Sequence, residues 1–155
     1  MLNTEKEDAM GLFKRKTAES TTGGLKIVAA DDEADIRTVL QKGLEMSGHT
    51  VILAVDGEDA LRKIKDEKPD LVILDIRMPK LDGIQTLQVI KKDPVTRNLP
   101  VIMLTINSSD EDLLKGYMYG ADCYITKPFR LQTILRIVLA FKTEPQLRLS
   151  PKTSG

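Results

Sequence analysis

The sequence predicts an α/β fold: five βα units around a doubly wound, parallel, five-stranded sheet. Two observations lead there. From Leu25 onward, short apolar runs alternate with segments of helical period, the signature of parallel strands joined by crossover helices. The run Leu71-Val72-Ile73-Leu74 is apolar at every position, as burial on both faces requires, whereas a half-solvated strand would alternate apolar with polar.

Five runs read as strands: residues 26–30, 50–54, 71–74, 101–104 and 123–125. The first helix places Ile36, Val39, Leu40 and Leu44 on one face, and Gly48 stands where it would stop. The second opens at "DGED", with Asp56 as cap, Asp59 near the positive helix end, and Ala60, Leu61 and Ile64 turned inward. The third spans about residues 84–91 and ends before Pro94. The fourth starts at Ser108 or Ser109 and runs through Leu113, Leu114 and Tyr117 to Gly120. The fifth covers about residues 131–141, with Leu131, Ile134, Leu135 and Val138 as its apolar stripe. Right-handed crossovers leave few ways to arrange five such units, and the flavodoxin-like strand order 2-1-3-4-5 is favoured.

Composition narrows the function classes. The 155 residues carry 41% hydrophobic and 30% charged side chains, ordinary for a soluble globular protein. Lys plus Arg (23) balances Asp plus Glu (23), so nothing in the total points to a nucleic-acid or membrane partner. One cysteine, Cys123, excludes an internal disulfide and reads as a small buried hydrophobe. His49 opens a strand with no metal-ligand partner near it in sequence, and reads as a surface histidine. The chain opens on polar residues rather than an apolar leader, and no segment approaches the roughly 20 apolar residues of a membrane span, so the expectation is a cytoplasmic protein. Residues 1–24 read as a flexible extension, 25–142 as the folded domain and 143–155 as a flexible tail.

In an open parallel sheet, ligands bind beyond the carboxyl ends of the strands. Asp31 and Asp32 follow the first strand, Asp75 the third, Thr105 the fourth, and Thr126, Lys127 and Pro128 the fifth. Clustered carboxylates repel one another unless a cation is present, and hard oxygen ligands suit Mg²⁺. A hydroxyl and an ammonium opposite such an ion supply what a phosphoryl group needs, and a central carboxylate can then be the nucleophile.

The stretches "IVAADDEADIR", "PDLVILDIRMPKLDG", "PVIMLT" and "GADCYITKPF" together resemble the receiver domain of two-component response regulators over about residues 25–142. The resemblance implies that Asp75 accepts a phosphoryl group from a phosphohistidine on a histidine kinase or phosphotransfer protein. It implies Mg²⁺ held by Asp32 directly, Asp31 largely through water, Asp75 and the backbone carbonyl of Arg77. Thr105 and Lys127 would grip the phosphoryl oxygens, and Tyr124 would turn inward as Thr105 moves. The Lys127-Pro128 bond is similar to one that is cis in the family. The output would be a change in protein contacts at the face of the fourth helix, fifth strand and fifth helix. The chain would be a phosphoacceptor signalling protein rather than an enzyme, catalysing at most its own phosphorylation and dephosphorylation.

Three residues depart from the family pattern. Ile106 stands where a small residue is usual, Arg77 places a long cation beside the acceptor, and Ala30 replaces the usual valine. A haloacid-dehalogenase-type phosphatase would need a second acid where Arg77 stands, and a dinucleotide-binding unit would need glycines where "ADDEAD" stands. The rival that stays open is a receiver-fold binding module that works without phosphorylation. With only a short tail after Phe141, the expectation is a stand-alone receiver that signals by protein contact, in a chemotaxis or motility, phosphorelay or cell-cycle setting.

Overall fold

Apolar strands can lie side by side only if helices cover both faces of the sheet, and the chain folds that way. The structure, a computed structural model, describes residues 23–106, 115, 117 and 119–144. Its strands are β1 (Lys26–Ala30), β2 (Thr50–Ala54), β3 (Leu71–Asp75), β4 (Val101–Thr105) and β5 (Cys123–Thr126), all parallel and hydrogen-bonded in the order β2-β1-β3-β4-β5. The described helices are α1 (Ala34–Met46), α2 (Gly57–Glu67), α3 (Gly83–Lys92) and α4 (Leu131–Thr143). The fourth helix of the sequence reading lies mostly outside the described residues, as do positions 1–22 and 145–155; Lys115 and Tyr117 within it are helical.

Each face of the sheet has its own core. Ile27, Leu71, Ile73, Ile102 and Leu104 pack with Leu40 and Leu44 of α1 and Ile134 and Val138 of α4. On the other face, Val28, Val72, Leu74 and Met103 pack with Ala60 and Ile64 of α2 and Leu87 and Ile90 of α3. Ile73 is fully buried, and cutting such a side chain to alanine costs about 2–5 kcal/mol.

β3, β4 and β5 each extend one residue past the apolar run read from sequence. The ladder is made by the backbone and does not depend on the side chain: Asp75 pairs in register with Leu104, and Thr105 with Thr126. α1 also departs from its reading. Val39 is 43% exposed, and Gly43 takes the inward position instead. A Cβ there would lie 2.3 Å from Leu131 Cδ2, so the missing side chain is what lets α4 approach α1. His49 is buried rather than on the surface, because its Nδ1 accepts a hydrogen bond from the Leu25 amide (3.0 Å) at the start of β1. Cys123 is half-buried.

Candidate functional site

The chain reverses its direction of growth between β1 and β3, whose two neighbours are β2 on one side and β4 on the other. Helices leave such a point on opposite faces and open a crevice at the strand ends. Asp31 follows β1 there, and Asp75 ends β3. Carboxylate oxygens of Asp31, Asp32 and Asp75 lie within 4.8 Å of one another. Asp31 is wholly buried and Asp75 is 5% exposed, while Asp32 faces solvent.

Local hydrogen bonds hold these groups in place. Asp31 Oδ1 accepts from the Glu33 amide (2.9 Å), and Arg37 donates to the Asp31 carbonyl (2.8 Å). After β3 the chain turns sharply: the Ile76 amide donates to the Leu104 carbonyl (2.9 Å) and the Gly83 amide to the Ile76 carbonyl (2.7 Å). A Cβ on Gly83 would sit 2.2 Å from the Asp75 carbonyl oxygen, so the loop closes only with glycine there. Asp82 caps α3 by accepting from the Gln85 amide, and the Asp82 amide donates in turn to Gln85 Oε1.

Lys127 completes the cluster from β5. Its Nζ lies 2.8 Å from Asp31 Oδ2, 3.4 Å from Asp75 Oδ1 and 3.6 Å from Glu33 Oε1. Burial works against this ammonium, but the contacts with Asp31 and Asp75 outweigh it and its pKa is raised. Asp75 is pushed up to about 6, first by burial and then by the neighbouring Asp31 charge, against the opposing pull of Lys127 and the Arg77 amide. Asp31 Oδ2 is buried and accepts no directed hydrogen bond; Lys127 faces it as a charge. An acceptor left in that condition, beside two more carboxylates, suits a hard divalent cation with oxygen ligands.

Thr105 is 2% exposed at the end of β4, and its carbonyl accepts from the Lys127 amide (2.7 Å). The Lys127-Pro128 bond is cis. Tyr124 is half-buried in β5 against the Met103 side of the core, and its ring meets Tyr117 edge-on at 5.0 Å. Arg77 is exposed and lines a cleft of about 600 Å³ with Asp32, Met78, Gln85 and Lys115. The structure therefore brings Asp31, Asp32, Asp75 and Lys127 together, sets Thr105 at the same strand edge, and places Tyr124 one strand outward. Glu33, beside Lys127, and Lys115, on the cleft wall, lie outside the motif positions. Glu33 had a signal, as the third acid of "DDE"; Lys115 belongs to no motif.

Residues 27–139 match the response regulator receiver domain family. The chain is 41% identical over 122 residues to Protein PilG of Pseudomonas aeruginosa, covering 79% of this chain and 90% of that protein. It is 45% identical over 118 residues to the alkaline phosphatase synthesis transcriptional regulatory protein PhoP of Bacillus subtilis, covering 72% of this chain and 48% of that protein. The chain thus spans about half the length of PhoP and of several other curated relatives. Among solved structures, the chemotaxis response regulator CheY4 of Vibrio cholerae superposes with a TM-score of 0.71 at 30% identity, covering 74% of this chain and 96% of that one. The Mn²⁺-bound response regulator Rcp1 gives 0.66 at 27% identity, covering 77% and 93%. A five-stranded 2-1-3-4-5 sheet, a matched segment that covers most of the chain, and a relative aligned over nine-tenths of its length agree, and the chain belongs to the response regulator receiver domain family.

Proposed function

We propose that this receiver domain accepts a phosphoryl group on Asp75 from the phosphohistidine of a sensor histidine kinase or a histidine phosphotransfer protein, and thereby changes its contacts with a downstream protein. The convergence of Asp31, Asp75 and Lys127 in one buried cluster carries this reading. A structural ion pair would need one carboxylate; here two buried carboxylates share one ammonium, an arrangement that favours further positive charge.

Each residue has a separable task. The Asp75 carboxylate attacks phosphorus, the P–N bond to the donor imidazole breaks, and its electron pair stays with that ring nitrogen, which takes up a proton. Asp31, Asp32, Asp75 and the Arg77 backbone carbonyl would hold Mg²⁺, which supplies fixed positive charge to the phosphoryl oxygens. Lys127, already 3.4 Å from Asp75, is positioned to pair with another phosphoryl oxygen, and the Thr105 hydroxyl to donate to a third. Phosphorylation adds about −1.5 to −2 charge at this point, and movement of Thr105 toward it would free space for Tyr124. The face of β5, α4 and the segment bearing Tyr117 would then present a different surface. The chain's own chemistry would be limited to gaining and losing that phosphoryl group. No described helix is long and apolar enough to cross a membrane.

Intact mass after incubation with acetyl phosphate, with and without Mg²⁺, tests the proposal. A single Mg²⁺-dependent phosphoryl adduct that is absent in Asp75→Asn is expected. No adduct from acetyl phosphate or from a phosphorylated phosphotransfer protein would overturn it, in favour of a module that binds without phosphorylation.

A further inference from the structure

The edge of the sheet opposite the acidic cluster carries a second recess. It lies between α2 and α3, beneath the turns that lead into β3 and β4, and measures about 730 Å³. Leu61, Ile64, Ile90 and Leu99 floor it, and Val89 and Val95 stand on its wall, 46% and 87% exposed. Its size falls in the range of about 300–1,000 Å³ found for ligand sites.

The chain enters β1 beside this recess. The Lys26 amide donates to Asp70 Oδ2 (2.8 Å), the Asp70 amide donates to the Lys26 carbonyl (2.7 Å), and Lys26 Nζ reaches the Glu67 carbonyl (3.0 Å). Asp70 is itself part of the recess wall. The sequence before Gly23, outside the described residues, contains "GLFKRK", an apolar pair followed by three basic residues. About ten residues separate that pair from Gly23, a reach of roughly 33 Å fully extended and about 17 Å as a flexible coil.

We propose that Leu12 and Phe13 of the chain's own amino-terminal segment dock in the recess between α2 and α3. The apolar pair covers Val89 and Val95. Lys14, Arg15 and Lys16 match the carboxylates of Asp70 and Asp93 on the recess wall and, next to it, the acidic end of α2 at Asp66 and Glu67. Lys65 and Lys68 on the same rim match the acidic run Glu5, Glu7 and Asp8 that precedes the pair. A short tether gives the segment an effective concentration in the millimolar range, so weak intrinsic affinity suffices for occupancy. Because the recess lies at the strand edge away from Asp75, docking there leaves the acidic cluster accessible and does not depend on its phosphorylation.

Paramagnetic broadening on the full chain decides the matter. A nitroxide is attached at Met10→Cys in a Cys123→Ser background, and amide resonances are followed. Broadening concentrated on Leu61, Val89, Val95 and Leu99, independent of protein concentration, is expected, with loss of that pattern in Leu12→Ser/Phe13→Ser and in Val89→Glu. Val95→Asp, at a more exposed site, repeats the second arm should Val89→Glu misfold. Absent or evenly spread broadening would overturn the proposal. So would broadening seen only when spin-labelled and isotope-labelled molecules are mixed, which would assign the recess to a second copy. Because the readout needs no phosphoryl transfer, its failure and that of the Asp75 reading are separable.

Discussion

The Lys127 ammonium lies closer to Asp31 (2.8 Å) than to Asp75 (3.4 Å), although Asp75 is the proposed phosphoryl acceptor. Lys127 therefore serves first as the counter-charge of a wholly buried carboxylate. A divalent ion taken up by the acidic cluster would relieve Lys127 of that duty and leave it available to a phosphoryl oxygen. One side chain thus links the burial of Asp31 to the proposed chemistry of Asp75.

Lys127→Met isolates this link. It leaves Asp31 and Asp75 buried without their cation, and a broken buried pair costs about 3–5 kcal/mol, of which proton uptake by the carboxylates recovers part. In chelator at pH 7, urea unfolding should show a loss of about 2–4 kcal/mol. Millimolar Mg²⁺ should restore more stability to the variant than it adds to the wild type, since the ion no longer competes with an ammonium. Equal stabilisation of both proteins by Mg²⁺ would contradict the account.

Asp75 should make the metal-free protein less stable as pH rises. Its folded pKa, about 6, lies above the ordinary value of 3.8, so between those values the folded protein holds a proton that the unfolded chain has released. Its contribution is full below about pH 4 and is lost as pH rises through 6, a change on the order of 2–3 kcal/mol. Asp75→Asn, unable to titrate, should gain stability relative to wild type from pH 4.5 to 7 in chelator, and Mg²⁺ should narrow the gap. A difference that does not vary with pH would refute the assignment.

The strand cores and the carboxyl-edge residues were legible in the sequence because both rest on local patterns. Wholly apolar runs mark strands buried on two faces, and the first polar residue after each run falls at the crevice, as with Asp31, Asp75 and Thr105. What the sequence hid was set by tertiary contact. Val39 belongs to the apolar spacing of α1, yet the inward position goes to Gly43, since only a residue without a side chain admits Leu131 from α4. His49 carries no partner within its own segment; its acceptor role depends on Leu25, brought alongside by β1–β2 pairing. Glu33 reaches Lys127 from a distant part of the chain, a contact that exists only once β1 and β5 share a sheet.

His49 should act in the opposite sense to Asp75. Burial lowers its pKa, with the Lys142 charge adding to the effect, and Nδ1 is already committed to accepting from Leu25. As pH falls below about 6.5, the unfolded chain takes up a proton before the folded one does, so stability present above that pH is lost. His49→Asn keeps an acceptor near Nδ1 and removes the titration. The two proteins should differ by a constant amount above pH 7, and the wild type should lose ground below pH 6.5. Parallel pH profiles would show that His49 does not titrate with folding.

Ile106 should lengthen the life of the phosphoryl group. It follows Thr105 directly, just past the end of β4, and its side chain is 64% exposed, so it does not fill the core. A bulky apolar group there would hinder an incoming water while leaving Asp75, Thr105 and Lys127 in place. Ile106→Ala removes the obstruction with little cost in stability, because an exposed side chain has little burial to lose. Loss of about 1 kcal/mol of hindrance corresponds to roughly fivefold faster decay. Following the adduct by intact mass after the phosphodonor is removed gives the rate directly. An unchanged rate in Ile106→Ala would mean that water reaches the phosphoryl group by a path this residue does not cover.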